Sequence, residues 1–149
     1  MYRINLVIFM IIVLTMFLPN YSFSHNDDPR HMAMVTLGKN MKEISRINRS
    51  GDSFGPSDLK KLNEIYEISK NFNILFANDD SGKESSRASP QIWINKSKFI
   101  SFSKDFEMSI ANLIKSVNNK NNLEISDAIS KVGANCGKCH RTFRLPKKN

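Results

Sequence analysis

Two cysteines are all the chain contains, and they stand as Cys136-Gly137-Lys138-Cys139-His140, nine residues before the C-terminus. Two thiols at this spacing can add across the two vinyl groups of one porphyrin, and the adjoining imidazole then reaches the iron from the same side of the ring. The pentad therefore reads as a site of covalent c-type haem attachment. On a helix, positions 136, 139 and 140 share one face, so a porphyrin laid on that face meets all three side chains. Gly133 and Gly137 precede His140 within two turns, where the missing side chains let a flat ring approach the backbone. Each glycine costs a helix roughly 1 kcal/mol relative to Ala, which implies a packing reason for both. The expected assignments are one haem c bound through Cys136 and Cys139, with His140 as an iron ligand.

Competing chemistries fit less well. A thioredoxin-like redox pair wants a βαβ context, and no such pattern surrounds the cysteines. A structural zinc site lacks its second pair of ligands. A disulfide between helical positions i and i+3 is geometrically awkward.

The N-terminus agrees with an exported haem protein. Arg3 supplies a positive start, an apolar run spans residues 6–18, and Pro19 precedes Ser22-Phe23-Ser24, a small-x-small cleavage pattern. Residues 1–24 are the expected cleaved signal peptide, and residues 25–149 the single mature domain. The apolar run is shorter than the ~20 residues that span a bilayer, so no stable membrane anchor is expected. Haem is attached to c-type apoproteins after export, which points to a bacterial periplasm. The formal net charge is +8. Loss of Arg3 leaves +7 on the mature part. The expected exported location argues against nucleic acid as a partner. From Lys131 onward come Lys138, Arg141, Arg144, Lys147 and Lys148 without one acidic residue, a basic end suited to steering acidic redox proteins toward the haem edge.

Four helical segments must position the pentad. The first spans about 28–49, with Asp27 or Asp28 as N-cap, Pro29 in the first turn and an inward stripe of Met34, Leu37, Gly38, Met41, Ile44 and Asn48. The second begins near Pro56-Ser57-Asp58 and carries its stripe from Leu59 through Phe72 to Phe76. Residues 78–90 read as the longest loop, and Ile92 with Trp93 as an anchoring turn. Phe99, Phe102, Phe106, Ile110, Leu113 and Val117 mark the third, and Ile125, Ile129, Val132, Cys136, His140 and Phe143 the fourth. No segment alternates with period two. The expected fold is all-α, an antiparallel up-down-up-down four-helix bundle with covalent haem near the C-terminus.

That topology sets the start of the first helix beside the end of the last. Met34 and His140 lie ~9 Å and ~8 Å from those ends at 1.5 Å rise per residue, so the two side chains should meet at one level. Met34 lies on the inward stripe and Met32 about 200° away from it. Met34 is thus the expected second metal ligand, with His31, about 60° away, as the rival. Arg30, four residues before Met34, is placed to pair with a haem propionate.

The chain closely resembles the class II cytochromes c, the cytochrome c prime family. The resemblance is carried by Arg30-His31-Met32-Ala33-Met34, by Pro90-Gln91-Ile92-Trp93, and above all by the run from Val132 through the pentad to Arg141-Thr142-Phe143-Arg144. It implies that Arg144 is the family's basic residue at that spacing and a further cofactor-binding position. Phe143 stands where many relatives have Tyr. Members with Met at the distal position look like six-coordinate, low-spin His/Met electron carriers, and this sequence falls with them. Members with an apolar residue there resemble five-coordinate binders of nitric oxide or carbon monoxide. The resemblance therefore implies a periplasmic one-electron carrier, not an enzyme, with gas capture or sensing as the alternative. Some relatives pair as homodimers through their first two helices.

Overall fold

The computed structural model describes residues 28–79 and 86–147, so the expected signal peptide and the tip of the long loop lie outside the described residues. Helix α1, Pro29–Ser50, begins where Asp28 accepts the Arg30 N–H at 2.9 Å and Pro29 presets the first turn. It ends at Gly51, whose left-handed φ of 75° lets its N–H reach the Asn48 carbonyl. Helix α2, Pro56–Lys70, opens on Gly55, whose N–H donates to the Asp58 carboxylate at 3.0 Å. After one short turn of helix, α3 (Phe72–Leu75), the chain crosses to a second, α4 (Gln91–Ile94). Two long helices follow, α5 (Lys96–Asn118) and α6 (Asn122–Phe143), the latter capped by Asn121 accepting the Glu124 N–H.

The bundle is antiparallel, as expected. Helix α5 packs along most of α6, α2 along α5 and α1 along α2, while α1 and α6 touch only lightly. A hydrogen bond from Ser126 Oγ to Asn48 Oδ1 at 3.0 Å joins the end of α1 to the start of α6. At the far end of the bundle from the pentad the core is aliphatic, with Ile44, Leu62, Ile65, Leu113 and Ile125 almost fully buried. Each such side chain contributes roughly 1.5–3 kcal/mol by leaving water. At the pentad end it is aromatic. Phe72 stacks on Phe106 with centroids 5.7 Å apart, and edge contacts run from Phe76 to Phe99 at 5.2 Å and from Phe99 to Phe143 at 5.4 Å. Among the described residues there is no strand, only an isolated bridge between Ala88 and Arg144.

Two expectations need correction. The second stripe does not belong to one helix: Asn71, at φ −97° and ψ 7°, interrupts it, and its amide donates to the Glu67 carbonyl at 2.8 Å. The inward face of α1 is also turned from the predicted one. Arg30, Ala33, Leu37, Asn40, Ile44 and Ile47 are buried, Met34 and Met41 are half-buried along the edge, and Gly38 is exposed. The cause is packing: Asn40 donates to Glu64 at 2.8 Å, which holds that face of α1 against α2 and leaves Met34 and Met41 only partly packed on the core.

Candidate haem site

Helix α6 delivers the pentad because its apolar stripe, Ile125, Ala128 and Val132, is buried against α5 and continues into the half-buried thiols. Both cysteines are free and pack against the core cluster. Burial pushes the Cys136 thiol up, and it pushes Cys139 up to about 11, with Cys136 adding to the effect. A buried thiolate is therefore disfavoured here. A thioether has no ionisable proton, so the environment that penalises the thiolate suits the linked form. Among the described residues, no three His, Cys, Asp or Glu side chains converge to hold a metal ion directly. The thiols and imidazole instead spread along one helical face, the arrangement a planar ring requires.

The face has room for one. A Cβ added at Gly38 on α1, or at Gly133 on α6, would meet nothing within 4 Å. At Gly137 it would meet only the flexible tip of Arg141, at 3.2 Å. The glycine positions thus leave a flat ring unobstructed beside the thiols, and the residues present fit a haem on that face. A groove of about 630 Å³ between α5 and α6, lined by Asp105, Ser109, Ala128, Lys131 and Asn135, is elsewhere and includes none of the pentad.

His140 is solvent-accessible as a residue, yet its ring is partly desolvated, and this holds its pKa below the ordinary value, with the charges of Arg144 and Arg87 acting in the same direction. The imidazole is therefore kept neutral, the form that ligates iron. Lys138, between the two cysteines, donates to Asp105 on α5 at 2.9 Å and lies 4.1 Å from the Phe102 ring centroid. Asn135 donates to the Asp105 carbonyl at 3.2 Å, so two bonds fix the pentad's rotation relative to α5.

On the opposite wall, Met34 is half-buried against the core and Met32 is 49% exposed. His31 is exposed. The Ser126–Asn48 bond fixes the register of α1 on α6. Met34 precedes Asn48 by 14 residues and His140 follows Ser126 by 14, so equal rises bring the two positions to the same level. Fourteen residues are two heptads, which in a left-handed bundle also return a side chain to the same face. Arg30, 9% exposed, sits a turn nearer the helix start, with its guanidinium 3.5 Å from Asp28 and 5.8 Å from the Phe76 ring centroid.

Arg144 ends α6, and its N–H bonds the His140 carbonyl at 3.1 Å. Next to it lies a residue that sequence reasoning missed. Arg87 donates through Nε at 3.1 Å and Nη2 at 2.9 Å to the Leu145 carbonyl, and Leu145 N–H returns a bond to the Arg87 carbonyl at 2.8 Å. Ser89 N–H adds a bond to the Phe143 carbonyl at 3.0 Å. Nothing in the local pattern around Arg87 signals this, because its partners are 58 residues away. Phe143, where a hydroxyl is absent, is 3% exposed and packs edge-on to Phe99 and Phe102.

Comparison with known proteins shows the family and the fold. The family described as Cytochrome C′ matches residues 28–144. The chain is 28% identical over 125 residues to "Cytochrome c-556" of Agrobacterium fabrum, covering 80% of this chain and 81% of the relative. It is 27% identical to "Cytochrome c-556" of Agrobacterium tumefaciens strain B2A, covering 97% of that protein. Among solved structures, cytochrome c prime from Shewanella frigidimarina superposes with a TM-score of 0.71 at 20% identity, covering 83% of this chain and 98% of that one. A ferrous variant of cytochrome c prime from Alcaligenes xylosoxidans with bound NO superposes at 0.70 and 18% identity, covering 84% and 98%.

Proposed function

Because the chain belongs to the cytochrome c′ family and carries haem c, we propose that it is a periplasmic one-electron carrier, with the haem linked through Cys136 and Cys139 and the iron held between His140 and Met34. The observation that carries this reading is the Ser126–Asn48 bond, whose register supports a shared level for residues 34 and 140. When bound, the haem supplies an iron that takes up and releases one electron. The chain's own residues do the rest. His140 presents a neutral imidazole, and Met34 presents a thioether from a half-buried position where water competes poorly. His140 and Met34, if both held the iron in its two oxidation states, would limit reorganisation. Arg30 and Arg144 would supply guanidinium groups to the haem propionates. The protein acts as a carrier without turning over a substrate of its own, exchanging electrons with acidic redox proteins at the basic end of the bundle. Among the described residues no helix is long and apolar enough to cross a membrane. Residues 1–24 would act as the cleaved export signal.

A second reading has a specific observation in its favour. Structural neighbours include cytochrome c prime with bound NO, and a chain of the same fold in which Met34 stays off the iron would capture or sense such a gas. Another neighbour's dimer dissociates under ligand control, which makes pairing of two bundles the associated question. The optical spectrum of the purified holoprotein separates the two readings. A sulfur-to-iron charge-transfer band at the red edge of the ferric spectrum, with no response of the ferrous form to carbon monoxide, is expected for the carrier. A high-spin spectrum that shifts on adding carbon monoxide would overturn the Met34 assignment and establish the gas-binding reading.

A further inference from the structure

We infer that the solvent face of α1 is a docking surface for an anionic bilayer, on which the bundle rests reversibly while its pentad end stays open. Residues 32, 35, 39, 42, 46 and 49 recur at alternating steps of three and four, so they form one stripe along the helix. All six are exposed. The stripe opens with Met32 and Val35, 49% and 48% exposed, and continues as Lys39, Lys42, Arg46 and Arg49. Beside it, a groove of about 570 Å³ between α1 and α2 sets those four cations and Lys61 against Glu43, the one carboxylate among its described lining residues. Arg46 bonds Glu43 at 2.8 Å, and Lys61 bonds Asp58 at 3.0 Å. Lys39, Lys42 and Arg49 have no ion pair among the described residues. Their charge is therefore open to a partner.

The shape of the stripe selects that partner. From Lys39 to Arg49 the cations extend over ~15 Å at 1.5 Å rise per residue, a row that a sheet of phosphates can meet throughout and a single small anion cannot. Met32 and Val35, on the same line, would enter the apolar boundary beneath the headgroups. A second copy related by a two-fold axis at the middle of the stripe would set Lys39 and Lys42 against their own counterparts, which like-charge repulsion opposes. A redox partner also fits poorly. Lys42 and Arg49 lie ~12 Å and ~22 Å beyond Met34 along the helix axis, so a protein seated on them is displaced from the pentad end. A bilayer under this face leaves that end, with the separate basic segment after Lys131, free for electron exchange. Among the described residues no helix could cross a membrane, so the contact is peripheral.

The test is co-sedimentation of the holoprotein with vesicles of roughly one-third phosphatidylglycerol in phosphatidylcholine, and with vesicles of phosphatidylcholine alone, after haem content and melting temperature have been measured for every protein. The parent should bind the anionic vesicles at low salt, leave them at about 0.5 M salt, and ignore the neutral ones. Each cation at such a surface is worth about fivefold in partition, so Lys42→Gln with Arg49→Gln should weaken binding on the order of twentyfold. Lys96→Gln with Lys115→Gln removes the same charge from exposed positions of α5 and should stay within about twofold of the parent. If the α1 double variant does not fold, Lys42→Gln alone carries the test with about a fivefold loss. A parent that does not bind anionic vesicles overturns the inference, and so does an equal loss in both double variants, which would assign binding to net charge and not to this face. Binding of soluble polyaspartate by the α1 face without vesicle binding would reassign it to an acidic protein. A parent dimer that leaves vesicles alone and is split by the α1 double variant would reassign it to a second copy. Either result overturns the bilayer assignment.

Discussion

Replacing Met34 with Ala tests ligation and packing at once, and two neighbouring methionines keep the tests apart. Met34 and Met41 are both half-buried on the same edge of α1, two turns apart, whereas Met32 is 49% exposed. Truncating a fully buried Met costs about 2–5 kcal/mol, so at half burial Met34→Ala and Met41→Ala should each lose about 1–2 kcal/mol from packing alone. In a domain of this size that lowers Tm by roughly 4–8 °C. Met32→Ala should stay within about 0.5 kcal/mol of the parent. The spectra should divide differently. Only Met34→Ala should lose the red-edge charge-transfer band and gain a response to carbon monoxide, while Met41→Ala and Met32→Ala keep the parent spectrum. Ferric absorption, carbon monoxide titration and thermal melts of the three variants suffice. A Met34→Ala protein with the parent's spectrum and no carbon monoxide response would refute the register argument. A Met41→Ala protein that also became high-spin would show that the spectrum follows packing and not an iron–sulfur bond.

Other outcomes follow from single contacts. Asp58 accepts the Gly55 N–H at 3.0 Å and the Lys61 ammonium at 3.0 Å, so Asp58→Ala should cost about 1–2 kcal/mol in a denaturant titration at pH 7. Burial raises the Asp58 pKa, but the Gly55 and Lys61 bonds and the Lys61 charge outweigh it and hold the carboxyl below 3.8, so its stabilisation is present above that pH and disappears as pH falls through the lower folded value. The difference between parent and Asp58→Ala should therefore shrink only below about pH 4, and a gap that closed near neutrality would contradict the assignment. The partly exposed Lys138–Asp105 pair should show a coupling of at most about 1 kcal/mol in a double-mutant cycle, reduced by salt. Electron-transfer rates with an acidic redox protein should fall as ionic strength rises, and rates indifferent to salt would discard steering.

What could be read in advance was local. The pentad, the caps Asp28 and Asn121, and the apolar stripes of α5 and α6 depend on residues a few positions apart, where helical periodicity alone brings side chains together. The rotation of α1 is different in kind. Its predicted stripe admitted Met34 and Met41 because hydrophobicity alone ranks them above Asn40, but the Asn40–Glu64 bond, across 24 residues, satisfies a polar side chain in the interior and turns the helix by most of a residue's arc. Similarly, the stripe through Phe72 and Phe76 continues in space although the helix does not, since Phe72 and Phe76 remain in the aromatic cluster after the break at Asn71. Periodicity reports which side chains go inward and says little of whether one uninterrupted helix takes them there.

The charge distribution shows the same limit and changes the docking argument. Read along the chain, the segment after Lys131 is purely basic. In the fold, Lys131 pairs with Asp127 at 2.6 Å and Lys138 with Asp105 at 2.9 Å, so two of those charges have acids beside them. Arg87, contributed by the loop before α4, enters the same end of the bundle. The positive region is therefore shifted toward the extension beyond α6, where Arg87 bonds the Leu145 carbonyl and Arg144 ends the helix. A charge there reaches an approaching acidic partner through solvent, where salt screens it. Steering by these exposed guanidiniums should thus be lost with salt: Arg87→Gln should slow electron transfer with an acidic redox protein at low ionic strength and match the parent at high ionic strength.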